Sequence, residues 1–158
     1  MMNRSKQKKT AVVLAMFIAL IGTWPAHTRA NDLSVHLGYY FDSEALSLGF
    51  GMLTSVTDDQ PRWFFNPNAE MIVGDGRDMA AFNADFHYDF ASDSDLTFWA
   101  GAGPGLYLVE QPFDDDLQVG LNLLAGFGKL TGSTRPFVQG KVVVMDNSEA
   151  ALAVGLRF

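Results

Sequence analysis

The chain has 158 residues, a formal net charge of −7 and no cysteine. Without cysteine there is no disulfide, no thiolate metal site and no lipid-anchored N-terminal cysteine. The acidic balance excludes a generic nucleic-acid surface, which needs a basic patch, so no nucleic-acid partner is expected.

Residues 1–30 have the layout of a secretory signal peptide. Arg4, Lys6, Lys8 and Lys9 form a basic start, and Ala11 to Ile21 is an eleven-residue apolar run. Thr28-Arg29-Ala30 then offers small residues at both ends of a tripeptide. Eleven residues span roughly 16 Å as a helix, short of the ~30 Å hydrocarbon core. An uncleaved anchor is the competing reading. Pro25 and the polar stretch after it argue against a longer span. Export through the Sec pathway is the expectation. Residues 31–158 keep all eighteen acidic residues but only six of the eleven basic ones, leaving −12. They make one domain.

Beyond the leader, no stretch approaches eighteen apolar residues. Period-2 alternation recurs instead, in eight runs broken by Asp, Ser, Asn and Gly. Leu33 to Phe41 sets Leu33, Val35, Leu37, Tyr39 and Phe41 against Ser34, His36, Gly38 and Tyr40. Ala45 to Leu53 sets Leu46, Leu48, Phe50 and Met52 against Ser47, Gly49 and Gly51. Arg62 to Gly74 places Trp63, Phe65, Ala69, Met71 and Val73 opposite Asn66, Asn68 and Glu70. Met79 to Phe90 is the cleanest, with Phe82, Phe86, Tyr88 and Phe90 against Asn83, Asp85, His87 and Asp89. Leu96 to Val109 carries Phe98, Leu106 and Leu108 on one face. Thr97, Trp99, three glycines and Tyr107 share the other. After Asp114-Asp115-Asp116, Leu117 to Phe127 alternates Leu and Val with Gln118, Gly120, Asn122 and Gly126. Arg135 to Met145 sets Val138, Val142 and Val144 against Gln139, Lys141 and Val143. Glu149 to Phe158 sets Leu152, Val154, Leu156 and Phe158 against Glu149, Ala151, Gly155 and Arg157.

These runs have the length of tilted membrane-spanning strands, about nine to eleven residues. Eight of them joined by short turns predict an all-β, antiparallel, up-and-down barrel. Lipid forces it closed, because an open edge leaves backbone groups unpaired. The polar face decides which side points out. A water-facing exterior carries many Lys and Glu residues. Residues 31–158 have two Lys and four Glu, and their polar face is mostly Gly, Ser, Asn, Asp and His. Such side chains suit a narrow lumen, and the Leu, Val, Phe and Ala face suits lipid. With both termini in the periplasm, Trp63, Phe65, Tyr88, Phe90, Phe98, Phe127 and Phe158 gather near one rim as an aromatic girdle. Pro67 and Pro104 fall inside runs, where a bulge or local break is expected.

The Gly101-to-Tyr107 run carries one part of a family resemblance. Val119-to-Asn122 beside Arg135-to-Lys141 carries a second, and the terminal Val154-Gly155-Leu156-Arg157-Phe158 a third. On these the chain resembles the small eight-stranded outer-membrane barrels of the OmpA/OmpX-like and opacity-type superfamily. The resemblance covers residues 31–158. It implies an outer-membrane location among lipids and lipopolysaccharide, and handling by periplasmic chaperones. It further implies that Leu156 and Phe158 are read by the barrel-assembly machinery, and that the barrel is a monomer.

His36, Glu70, Asp85, His87, Asp89, Lys141, Glu149 and Arg157 are expected to point inward as a lumen network. Lys141 and Arg157 would be partners for the carboxylates, because a buried charge must be paired. A hydrolase triad of His36 or His87 with Asp85 and Ser47 is the alternative. Lipid A hydrolases of this architecture place their triad facing lipid, whereas these groups face inward. Asp114 to Asp116 could hold a divalent cation but lack the glycine and spacing of a calcium loop, so a solvated acidic loop is expected. Gly101 to Gly105 lacks the following helix of a phosphate cradle. No catalytic, metal or cofactor site is expected. The reading is a non-enzymatic envelope or surface-interaction barrel without a general pore. The alternatives are a lipid-modifying enzyme and a soluble periplasmic lipocalin-like binder. Mass spectrometry of the exported protein should find Asn31 as its first residue; a chain still beginning at Met1 would overturn the signal-peptide assignment.

Overall fold

Alternating side chains require an extended backbone with one apolar and one polar face. A computed structural model describes residues 32–56, 62–74, 78–90, 92–110 and 115–158. They form β1 (Asp32–Tyr40), β2 (Ala45–Ser55), β3 (Trp63–Val73), β4 (Met79–Phe90), β5 (Leu96–Glu110), β6 (Asp115–Lys129), β7 (Arg135–Val144) and β8 (Glu149–Arg157). Each strand pairs antiparallel with the next, and β8 pairs with β1, so the barrel is closed. The leader, residues 1–30, lies outside the described residues.

Register fixes the barrel's shape. Stepping across the ladders from Asp32 leads through Leu53, Asn66, Asp85, Gly103, Asn122, Val143 and Glu149 to Asp42. The path returns ten residues further along the chain, a shear of ten. Eight strands with that stagger tilt by about 40° and close at a radius of about 8 Å.

The faces are inverted relative to a water-soluble barrel. Leu33, Leu46, Met71 and Val119 point out and are more than 60% exposed (62%, 67%, 66% and 69%). Asp85, His87, Asn122, Glu70, Lys141 and Glu149 point in and are buried.

Both prolines sit in continuous strands without a bulge. Pro67 stays opposite Ala84, and Pro104 opposite Leu121. The expected break falls on one side only. The β2–β3 ladder lapses between Gly51–Asn68 and Thr54–Phe65, and the β4–β5 ladder between Asn83–Gly105 and Phe86–Ala102. Register is the same on both sides of each lapse. A missing N–H removes ladder bonds without inserting a residue.

The strand limits also correct the acidic loop. Asp115 and Asp116 belong to β6, opposite Glu110 and Val109. The long β5 carries its hairpin partner beyond the apolar run. Asp114 lies outside the described residues.

The two ends are fastened differently. At the far end, the Phe41–Glu44 turn is tied to the β7–β8 hairpin. Phe41 N donates to Ala150 O at 2.8 Å, Ala150 N to Asp42 Oδ2 at 2.9 Å, and Ser43 N to Glu149 Oε2 at 3.2 Å. The near end holds Asp32 and Phe158. There Phe158 N donates to Leu33 O at 2.8 Å, and Arg135 Nη2 meets Asp32 Oδ1 at 2.5 Å. Two near-end turns also meet. Leu130 N donates to Asp95 O at 2.8 Å, the Thr131 hydroxyl hydrogen-bonds the Asp95 carboxylate, and Lys129 Nζ lies 3.7 Å away. These contacts, the hydroxyl first, hold the Asp95 carboxyl below its ordinary value. A lowered carboxyl contributes stability above its ordinary pKa and loses it as pH falls through the lowered one. Solvent screening keeps this exposed group's share small.

Inward glycines let strands turn the tight corner of so narrow a barrel. A Cβ at Gly101 would strike the Phe86 carbonyl and lie 2.6 Å from His87 Cβ. At outward-facing Gly140 its nearest neighbour would be Ala125 O, 3.9 Å away. Gly101→Ala should therefore cost about 1–3 kcal/mol. Gly140→Ala should leave stability unchanged or raise it by about 0.5–1 kcal/mol. Urea unfolding in lipid vesicles measures both, and equal effects would contradict the close β4–β5 approach.

Candidate functional site in the lumen

The inward side chains form three tiers along the barrel axis. The far tier is apolar: Tyr40, Ala45, Ile72, Met79, Ala81, Tyr107, Val109, Val143 and Ala151 make one buried cluster. These nine side chains fill the far mouth.

The middle tier is a polar network around Glu70 and Asp85. Glu70, on β3, accepts from Tyr40 OH at 2.9 Å and Asn83 Nδ2 at 3.2 Å. Lys141 Nζ, from β7, is ion-paired and hydrogen-bonded to Glu70 Oε1. His36 Nε2 lies 3.9 Å from the same oxygen. Asp85, on β4, has two amide donors, Asn68 Nδ2 at 2.9 Å and Asn122 Nδ2 at 2.8 Å. Asn83 joins the two centres, donating to Asn68 Oδ1 at 2.8 Å and accepting from Asn122 Nδ2 at 2.9 Å. The single Tyr107 hydroxyl proton lies between Asn122 Oδ1 at 2.6 Å and Asn83 Oδ1 at 3.1 Å. Every amide hydrogen of Asn68, Asn83 and Asn122 has an acceptor, as a low-dielectric site demands.

The near tier is aromatic. Trp99, Leu124 and Phe137 form its buried cluster. His87 stacks on Trp99 with centroids 5.7 Å apart, and Trp99 Nε1 donates to Gln139 Oε1 at 3.0 Å. Arg157 lies over the Trp99 ring at 4.2 Å and over Phe137 at 4.9 Å. His87 Nε2 is 3.2 Å from Asp89 Oδ1, but the pair is not aligned for a hydrogen bond.

The eight inward candidates thus divide. His36, Glu70, Asp85 and Lys141 meet in the middle. His87, Asp89 and Arg157 form a separate near group, and Glu149 closes the far turn through Ser43 N. Asp85 is held by amides, and the carboxylates that act on Arg157 are Asp89 and Asp32. The strand tilt carries Arg157 to the near mouth, one tier away from Asp85. Sequence reasoning omitted Tyr40, Asn68, Asn83, Tyr107 and Asn122 from the network, although their inward parity was the signal for them.

Outside, the near-rim aromatics run across neighbouring strands. Trp63 and Tyr88 lie 5.1 Å apart, Tyr88 and Phe90 5.4 Å, and Phe98 and Phe127 6.1 Å. Phe90 stands opposite Phe98. Phe65 departs from the expected rim. It points outward but is only 5% exposed, packed 4.7 Å from Phe86, which takes the exposed position. Leu156 on β8 and Phe158 just after it are exposed.

The hydrolase triad is not assembled. Ser47 Oγ and both His87 ring nitrogens are buried without a hydrogen-bond partner, and the ion-pair contact of His36 is with Glu70. No group of three metal-ligating side chains occurs among the described residues. Asp116 accepts from Gln118 Nε2 at 2.7 Å.

Lys141→Met leaves the Glu70 charge buried and alone, and should cost about 3–5 kcal/mol. Adding Glu70→Gln should restore most of that loss. Urea unfolding of the single and double variants in vesicles measures the coupling. Strict additivity would show that the pair does not act as one unit.

No protein-family model matches the sequence, and no curated protein matches it. Solved structures match in fold. The N-terminal β-barrel domain of Pseudomonas aeruginosa OprF superposes with a TM-score of 0.60 at 15% identity, covering 81% of this chain and 96% of that one. Neisserial surface protein A gives 0.56 at 14% identity, covering 80% and 92%. The outer membrane enzyme PagL gives 0.55 at 15% identity, covering 80% and 98%. The chain therefore has the fold of the small eight-stranded outer-membrane β-barrels.

Proposed function

We propose that this chain is an integral outer-membrane protein, exported by the Sec pathway, with a structural or surface-interaction role in the envelope. Its near end faces the periplasm and its far end the exterior. It acts as a monomer, bounded by lipid and lipopolysaccharide, and is inserted by the barrel-assembly machinery with periplasmic chaperones. The observation that carries this reading is the inverted distribution of side chains. Outward Leu, Val and Phe are exposed while ionisable groups are buried inside. In water that arrangement leaves a belt of apolar surface far beyond the few hundred Å² that soluble monomers tolerate. In a bilayer it is the expected one.

The filled lumen supports a barrel without a general diffusion pore. The far mouth is closed by the apolar tier. The cavity beneath the polar network measures about 10 Å³, room for roughly one water molecule. Likeness to an outer membrane enzyme favours a second reading, a lipid-modifying enzyme. The non-catalytic reading is supported by the described outward positions. Away from the strand ends they carry no His, Asp, Glu or Ser.

Fractionation tests the location. The folded protein should require detergent for extraction and migrate faster on a denaturing gel before heating than after. Recovery of the folded protein in the soluble periplasm without detergent would sink the proposal. Reconstituted into planar bilayers it should show no steady open-pore conductance, and lipid A incubated with it should keep its mass.

A further inference from the structure

Two hydrogen-bond donors meet on the outer side of the near rim. Arg62 precedes β3 and is half-buried, and its Nη1 donates to the Tyr88 hydroxyl at 3.2 Å. That bond uses one of the five guanidinium N–H groups. Arg62 makes no ion pair among the described residues. The Tyr88 hydroxyl accepts from Arg62 and keeps its own proton, which has no acceptor among the described residues. The carboxylate across the ladder is turned inward. Asp89 N donates to Arg62 O at 2.7 Å, but the Asp89 side chain lies 3.2 Å from His87 Nε2 and accepts from Thr97 Oγ1 at 3.3 Å.

The surroundings put this pair at the depth of lipid headgroups. The Tyr88 ring meets Trp63 at 5.1 Å and Phe90 at 5.4 Å, both edge to face. Trp63 and Phe90 are 51% and 50% exposed. Tryptophan and tyrosine on a membrane-facing surface sit at the headgroup level, and Arg62 is one residue nearer the end than Trp63. The other cation on the outer side of this rim, Lys129, lies 3.7 Å from Asp95. Among the described residues the far rim carries no lysine or arginine.

We propose that Arg62 and the Tyr88 hydroxyl bind the phosphodiester of an anionic glycerophospholipid, whose acyl chains lie against Trp63 and Phe90. The guanidinium fork matches two phosphate oxygens, and these charge-assisted bonds are about twice as strong as neutral ones. A zwitterionic lipid brings its own ammonium to the phosphate and competes with Arg62. Residues 31–158 carry −12, so the field of the whole protein repels anionic lipid. A preference for it at this rim therefore comes from local contacts. The site rests on the membrane reading proposed above.

Trp63 is the reporter, because Trp99 is enclosed at 1% exposure. The exported protein is folded into phosphatidylcholine vesicles in which an equal minor fraction is acyl-brominated phosphatidylglycerol or acyl-brominated phosphatidylcholine. Bromine quenches tryptophan at contact, and Trp63→Phe supplies the blank. Quenching should give phosphatidylglycerol an association constant about fivefold above that of phosphatidylcholine. Arg62→Gln, checked for folding by heat-modifiable migration, should bring the ratio to about one. Tyr88→Phe keeps the ring and should lower the ratio; it also serves if the Gln variant does not fold. Equal quenching by the two lipids in the unaltered protein, or a preference undiminished in both variants, would overturn the site and leave the membrane reading standing. Absence of quenching by either lipid, with the protein recovered outside the vesicles, would overturn the membrane reading itself.

Discussion

A strand in hydrocarbon has no water to satisfy its amide groups, so the β1–β8 ladder is the contact on which the structure depends. Seven pairs from Ser34–Arg157 to Tyr40–Ala151 make that closure. Backbone contacts at both ends continue it, Phe158 to Leu33 and Phe41 to Ala150. Closure with a shear of ten sets the tilt and radius. The radius then limits what the lumen holds. At about 8 Å from axis to backbone, inward side chains from opposite walls meet. Glycine becomes necessary where a large side chain lies over the neighbouring strand. Gly49 faces the His36 ring, Gly126 the Trp99 ring and Gly155 the Phe137 ring.

The same geometry explains why the polar tier sits in the middle. Water can reach the ends of the lumen more easily than its centre, yet the ends are the apolar and aromatic tiers. Glu70, Lys141 and Asp85 are thus enclosed, and a buried carboxylate needs donors. Each oxygen of Glu70 and Asp85 has one. Asn68, Asn83 and Asn122 serve as neutral linkers, each offering two donors and an acceptor. One ion pair, three amides and the Tyr40 hydroxyl satisfy two carboxylates where a second lysine would have added desolvation cost.

The architecture and the facing of each strand are legible in the sequence, because alternation is a local property of extended chain. Met79 to Phe90 shows both faces without knowledge of any partner. What cannot be read locally is which inward residues share a height. That depends on the stagger between strands. Arg157 and Asp85 have the same parity, yet the tilt separates them by a tier and leaves Arg157 on Trp99 and Phe137. Phe65 has the parity of a rim aromatic, yet Phe86 from the next strand covers it. Pro67 and Pro104 suggest bulges because their lost hydrogen bonds are evident. That one ladder of each strand can lapse while the register stays fixed is visible only with the neighbours in place.

The buried pair therefore has a role that stability alone does not capture. A buried ion pair is weak evidence for stability, since apolar replacements often serve as well. Register is another matter. A slip of one residue in β7 would carry Lys141 to the lipid face and Val142 into the polar tier. Lys141 cannot follow that slip cheaply, because it would leave Glu70 unpaired inside and place an ammonium in hydrocarbon at about 2–4 kcal/mol near the bilayer midplane. Val138, Val142, Val143 and Val144 are nearly interchangeable in shape and resist such a slip little, whereas Phe137 in the aromatic tier and Gln139 bonded to Trp99 would be displaced together with Lys141. Lys141, with Phe137 and Gln139, distinguishes one alignment of this valine-rich strand from the next.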